Sequence, residues 1–198
     1  MTGPVIVDTG GANIASLQLA VERLGRTAEL TADPERITRG SHVFLPGVGA
    51  AADAMTRLGR AGITDVIPRL TQPVLGICLG MQLLYEASEE GETRCLGVFA
   101  GRVRRMTPAR GRPVPHMGWN RVARSRDHAL LAGLADGDFA YFVHSYRAPL
   151  GAETVASCDY DDTFTAVACR GNFHGAQFHP ERSAALGARF LANFLGLA

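Results

Sequence analysis

The sequence contains no lysine; all 20 basic residues are arginine. Schiff-base chemistry and a phosphate-loop lysine are thereby excluded, because both need a primary side-chain amine. An excess of one charge is missing too. Nineteen acidic residues leave a formal net charge of +1, which is no global footprint for nucleic acid. No apolar run approaches the roughly eighteen residues needed to span a bilayer, and residues 1–8 lack the positive segment of a secretory signal. Cytoplasm is the expected compartment, with no membrane partner. The four cysteines, Cys78, Cys95, Cys158 and Cys169, form no CxxC pair and match no zinc signature. The histidines lack ligand spacing and no GxGxxG follows the first strand, so no metal or organic cofactor is implied. Free thiols remain, and one of them is a candidate for chemistry.

What is present is a folding core. Apolar residues make up 46% of the 198 positions against 20% charged, which favours one folded domain over residues 1–198. Apolar runs at 4–8, 42–45 and 73–77 read as buried strands. Helical spacing covers 14–24, 53–60 and 79–90. Strands alternating with helices predict an α/β fold, a doubly wound, mostly parallel central sheet flanked by helices. The middle of the chain differs. Residues 97–106 alternate, Pro108, Pro113 and Pro115 break up the next stretch, and short strands are expected at 141–146, 154–158 and 163–169. These predict additional antiparallel strands lying over or extending the sheet. Residues 171–178 return to a strand and 182–194 form a last helix. Arg102, Arg104, Arg105, Arg110 and Arg112 make the one basic cluster, either a solvated hairpin or a patch for an anionic partner.

The sharpest local signal is Gly76-Ile77-Cys78-Leu79-Gly80-Met81-Gln82, where an apolar strand meets a helix. A sharp turn needs small neighbours so that backbones can approach, and glycines stand two residues before and after the cysteine. This is a nucleophile elbow with Cys in place of Ser. A thiolate there would meet the helix N-terminus, whose free N–H groups also stand where an oxyanion forms. The bland alternative is a buried core cysteine.

A second signal is Gln177-Phe178-His179-Pro180-Glu181, which ends the last strand. Pro180 cannot donate a backbone hydrogen bond, so the strand stops there. His179 and Glu181 then lie beyond a carboxyl strand end, as Cys78 does, and that edge of an α/β sheet is where sites form. Cys, His and Glu supply a nucleophile, a base and a group that fixes the imidazole tautomer. His174, inside the strand and without an acid nearby, and His144, in the aromatic strand Tyr141-Phe142-Val143-His144-Ser145-Tyr146, compete as bases.

These motifs, with Pro46-Gly47-Val48-Gly49, resemble the class I, triad-type glutamine amidotransferase family. Asp8-Thr9-Gly10-Gly11-Ala12-Asn13, Pro115-His116-Met117-Gly118-Trp119-Asn120 and the 141–146 strand narrow the resemblance to the glutaminase subunits of imidazole glycerol phosphate synthase, in histidine biosynthesis. The resemblance implies that Cys78 attacks the carboxamide of glutamine, His179 carries the proton to the leaving ammonia, and Glu181 orients His179. It places an oxyanion hole at Val48, Gly49 and Leu79, and substrate contacts at Gly49, Gln82, His144, Ser145 and Tyr146. It implies a heterodimer with a (β/α)₈-barrel cyclase subunit that receives the ammonia. Asn13, Trp119, Tyr141 and Arg182 match positions at the interface or its gate. Glutaminase activity is expected to be weak until the cyclase is present and liganded. Two departures stand out. Thr9 replaces the tyrosine of many relatives, and Arg182 replaces a lysine. Other readings of the residues are a different amidotransferase subunit, another cysteine hydrolase on the same fold, or a catalytically silent scaffold.

Overall fold

The computed structural model describes residues 3–10, 14–160 and 162–198. The first half runs β1 (Val5–Val7), α1 (Ile14–Arg23), β2 (Glu29–Thr31), α2 (Pro34–Arg39), β3 (Val43–Gly47), α3 (Ala51–Arg60), β4 (Val74–Cys78) and α4 (Leu79–Leu83). Strands then dominate: β5 (Tyr85–Ser88), β6 (Thr93–Arg94), β7 (Phe99–Arg105), β8 (His116–Arg121) and β9 (Ala123–Arg124). They continue with β10 (Phe139–His144), β11 (Tyr146–Arg147), β12 (Thr154–Asp159), β13 (Thr163–Arg170) and β14 (Phe173–Ala176), and α5 (Ala184–Leu195) comes last.

Period-two alternation in the early strands builds two cores, one on each sheet face. Ile6, Phe44, Leu75 and Ile77 pack with Leu17 and Val21 of α1 and Leu186, Phe190 and Phe194 of α5. Val5, Val7, Val43, Leu45 and Val74 pack the other way, with Ile37 of α2 and Ala51, Ala54 and Leu58 of α3. The helix at 34–39 starts as its sequence suggests, with the Asp33 side chain accepting the Glu35 N–H and Pro34 in the first turn.

The main sheet has the order β2-β1-β3-β4-β14-β13-β12-β9. Its first five strands are parallel, and β13, β12 and β9 extend it antiparallel. Two smaller sheets, β10-β8 and β11-β7-β5-β6, stand beside it. The mixed α/β architecture with antiparallel additions therefore agrees with the sequence expectation, and the additions both extend the sheet and form separate layers.

The helix expected over 79–90 is shorter than its spacing suggests. It ends after Leu83, and 85–88 form a strand. Leu83, Leu84 and Tyr85 are all buried, which a helix with one apolar face cannot achieve. Tyr85 packs edge-on against Phe99 at 5.3 Å, and β5 pairs with β7 instead. The strand expected over 141–146 breaks at Ser145. Phe139–His144 pairs with β8, while Tyr146 and Arg147 cross to β7. That switch places 144–146 between two sheets, beside the carboxyl ends of β3, β4 and the segment after β14.

Candidate active site

Cys78 ends β4 with φ 52° and ψ −109°, a left-handed conformation that an L-residue adopts only under strain. The elbow holds because its neighbours have no side chains. A Cβ on Gly80 would stand 1.7 Å from the Leu45 carbonyl oxygen, and one on Gly76 would stand 2.7 Å from the Gly80 carbonyl. The close approach expected of these glycines is thus between β3, β4 and the first turn of α4. That helix has only five residues. Its contribution at Cys78 comes from nearby N–H groups more than from an extended dipole, contrary to the longer helix expected there.

His179 follows β14 and comes to Cys78 across the sheet edge. Its Nδ1 lies 2.8 Å from Glu181 Oε1, and the ring lines the same cavity as Cys78. Burial opposes the imidazolium, but the interactions with Cys78 and Glu181 and the charges of those partners outweigh it and raise the pKa of His179. The side chain of Glu181 is itself almost wholly buried. Cys78, His179 and Glu181, the candidate nucleophile, base and orienting carboxylate, therefore lie together at one sheet edge.

These groups open into a cavity of about 360 Å³. Val48, Gly49 and Leu79 line it, as do Gln82, His144, Ser145 and Tyr146, so the candidate oxyanion and substrate residues converge. Gly49 has φ +87° with open space around its Cβ position, so backbone conformation rather than crowding requires glycine there. Gln82 is committed to the wall, its Nε2 donating to the Tyr146 carbonyl (2.8 Å) and to Gln177 Oε1 (2.9 Å).

His144 is not placed as a base. Its Nδ1 meets the Tyr146 carbonyl at 2.8 Å and its Nε2 meets His116 Nδ1 at 3.0 Å, so both nitrogens are engaged. Asn120 Nδ2 lies 3.3 Å from His116 Nε2 and continues the chain. His174 sits on β14 at the other end from His179, against Cys169. Burial pushes the Cys158 and Cys169 thiols up to about 12 and Cys95 up to about 11.

Sequence reasoning missed two residues. Glu90 contributes a carboxylate to the cavity wall, with Oε2 accepting the Ala51 N–H at 2.8 Å. Gln177 is fully buried and its Nε2 reaches Cys78 Sγ at 3.8 Å. The sequence signal for Gln177 was its place in the His179 motif; its burial, which requires partners, shows only in the structure. Glu90 had no signal beyond its charge.

Trp119, Tyr141 and Arg182 lie outside the cavity wall, together on one face. Trp119 pairs with Tyr141 across β8 and β10, and the Arg182 guanidinium stacks 4.7 Å from the Tyr141 ring centre. Trp119 and Met117 are 52% and 63% exposed, large apolar groups left facing solvent on one strand. Asn13 lies outside the described residues. Thr9 is buried and donates to the Pro46 carbonyl, so its replacement of tyrosine acts below the surface. In the basic cluster Arg102 is ion-paired with Glu92, while Arg104, Arg105, Arg110 and Arg112 are exposed.

The model of the family described as glutamine amidotransferase class-I matches residues 5–197. A protein of Xanthomonas axonopodis pv. citri named imidazole glycerol phosphate synthase subunit HisH is 54% identical over 198 residues, covering 100% of this chain and 99% of that protein. One of the same name from Xylella fastidiosa is 52% identical over 195 residues, covering 98% of each. The fold also matches the crystal structure of a glutamine amidotransferase with a TM-score of 0.74, 21% identity and 96% coverage of each chain. A glutamine amidotransferase of Thermotoga maritima matches with a TM-score of 0.66 at 18% identity, over 96% of this chain and 80% of that one. Among the described residues no helix is long and apolar enough to cross a membrane.

Proposed function

We propose, since the chain belongs to the class-I glutamine amidotransferase family, that it is the glutaminase subunit of an imidazole glycerol phosphate synthase. The observation that carries the chemistry is the meeting of Cys78, His179 and Glu181 at one cavity. Full-length similarity to named synthase subunits carries the choice of pathway.

The Cys78 thiolate attacks the side-chain carboxamide carbon of glutamine. Negative charge develops on the former carbonyl oxygen, and backbone N–H groups at Leu79 and in the Val48-Gly49 loop receive it. As the C–N bond breaks, the raised pKa of His179 keeps a proton available for the departing ammonia. A γ-glutamyl thioester remains. Neutral His179 then takes a proton from water, which attacks the thioester and releases glutamate and the thiolate. Glu181 holds Nδ1, which leaves Nε2 to carry the proton in both steps. Gln82, His144, Ser145 and Tyr146 hold the substrate, and Glu90 fits its α-ammonium.

The partner is a (β/α)₈-barrel cyclase subunit, which takes the ammonia and forms imidazole glycerol phosphate and an aminoimidazole carboxamide ribotide. Trp119, Tyr141 and Arg182, with Asn13, meet it. Glutaminase activity stays low until that partner is present and liganded, because the oxyanion loop at Val48-Gly49 is completed only in the complex. The heterodimer works in the cytoplasm, and residues 1–198 act as one domain.

The test is glutamate release from glutamine by the purified chain, alone and with a cyclase subunit plus its nucleotide ligand. Strong activation by the partner, abolished in Cys78→Ala, is expected. Hydrolysis by the isolated chain as fast as by the complex overturns the coupling.

A further inference from the structure

At the end of β14 remote from His179, three nitrogen- and sulfur-bearing side chains converge without a part in glutamine hydrolysis. Cys169 and His174 face each other across the β13–β14 hairpin, where they are register partners. His174 Nδ1 lies 3.3 Å from Cys169 Sγ. His128, from the segment between β9 and β10, brings its Nδ1 to 3.9 Å from the same sulfur. All three ligand atoms lie within 4.8 Å of one another. The two imidazole rings meet edge to face at 5.6 Å.

Hydrogen bonding explains only part of this. A thiol is a weak donor to one imidazole and a weak acceptor from the other, so hydrogen bonding holds the two rings at this sulfur only weakly. Tetrahedral zinc, with bonds of about 2.3 Å to sulfur and 2.0–2.1 Å to nitrogen, sets S···N separations of about 3.6 Å. The observed 3.3 and 3.9 Å stand on either side of that value. One thiolate and two imidazoles are also the donor set that a borderline-soft cation selects over magnesium or calcium. The hairpin fixes two of the donors in advance.

We propose that Cys169, His174 and His128 form a binding site for a divalent cation of the zinc class. The metal joins the β13–β14 hairpin to the 125–131 segment, a structural staple at the pole of the sheet opposite Cys78. On binding, the Cys169 S–H bond breaks, a sulfur–metal bond forms, and the proton passes to solvent. His128 Nδ1 now accepts the Leu130 N–H at 3.1 Å, so the cation displaces one capping bond at a half-buried turn. His128 and Cys169 border an open depression whose wall also carries Arg126, Asp127, Glu153 and Arg170. A water from that depression completes the tetrahedron.

Cobalt(II) is the probe, added to the full chain in a Cys78→Ser background so that the elbow thiol takes no part. One equivalent is expected to give thiolate-to-cobalt charge-transfer absorption with tetrahedral visible bands, and stoichiometric zinc to remove both. Cys169→Ser is expected to abolish the signal, and His128→Asn to weaken binding tenfold or more. Zinc is expected to raise the melting temperature of the Cys78→Ser protein but not of the protein also carrying Cys169→Ser. If Cys169→Ser does not fold, the half-buried position His128 carries the test. No charge-transfer band in the folded Cys78→Ser protein, or a band of equal affinity after His128→Asn or Cys169→Ser, overturns the proposal.

Discussion

The backbone N–H of His179 donates to the carbonyl of Tyr141 at 2.9 Å. Two further bonds close the connection: Tyr141 N–H donates to Ser183 Oγ at 2.9 Å, and Ser183 Oγ donates to the His179 carbonyl at 2.7 Å. The strand that presents Trp119's neighbour to solvent is thus bonded directly to the residue beside Cys78. Any displacement of Tyr141 would therefore be felt at the His179 backbone through these hydrogen bonds.

Arg182→Ala and Trp119→Ala should each weaken cyclase binding by about tenfold or more, since exposed aromatic and arginine anchors dominate interfaces. Neither should change the urea midpoint much. The Arg182–Tyr141 stack is exposed, and such contacts contribute about 0.5–1 kcal/mol. Titration calorimetry with the cyclase subunit, beside urea unfolding of the free chain, separates the two effects. Equal affinity in both variants refutes the assignment of this face.

Glu181→Gln should reduce kcat by about 10²–10⁴-fold with little change in KM, because it disturbs the tautomer of His179 and not the substrate wall. Steady-state glutaminase assays on the activated complex decide this. A change confined to KM would mean that Glu181 contacts substrate instead.

The raised pKa of His179 also makes a stability prediction. Folding favours its protonated form over the ordinary value of about 6.5, so the stabilisation is fully present below that pH. It is lost as pH climbs through the higher folded value. The urea stability gap between the parent chain and His179→Asn should therefore narrow from pH 6.5 upward. A gap that stays constant or widens contradicts the proposed proton on the ring.

Glu90→Gln should raise KM for glutamine by about 10–150-fold, the loss of one charge-assisted bond of about 1.5–3 kcal/mol. The amide oxygen can still accept the Ala51 N–H, so the fold is retained. Kinetics of the complex at saturating glutamine should show kcat within a few-fold of the parent. A fall in kcat alone would remove Glu90 from substrate binding.

Gly80→Ala should destabilise the chain by about 4 kcal/mol or more, because the added carbon would overlap the Leu45 carbonyl oxygen. Gly59→Ala is the contrast. That glycine is inside α3 with nothing within 4 Å of a Cβ, and alanine there should stabilise by about 1 kcal/mol. Urea midpoints of the two variants moving in the same direction would contradict the crowding argument.

The layout of the parallel sheet was legible because its strands are short, apolar and separated by helical spacing. Cys78 and His179 were legible because glycines and a proline fix where their strands end. The truncation of α4 was not, because Leu83, Leu84 and Tyr85 fit a helix locally and only the distant Phe99 draws the chain into a strand. The break at Ser145 likewise depends on β7 competing with β8 for the same segment. The meeting of Cys169 and His174 with His128 depends on a hairpin register and a loop path that no local pattern encodes. The His116–His144 pair was equally hidden, since it is made across strands.

The position of β14 between β4 and β13 has a consequence for how the chain is made. Val74–Cys78 leaves the ribosome well before Phe173–Ala176, and at about 5–20 residues per second the interval is about 5–20 s. During that time one edge of β4 has no strand to pair with, although its side chains are among the most deeply covered in the finished protein. Until β14 arrives, that edge offers unpaired backbone groups to any other strand. Because His179 follows the same strand, a product that stops before β14 lacks both the neighbour of β4 and the imidazole proposed to act beside Cys78.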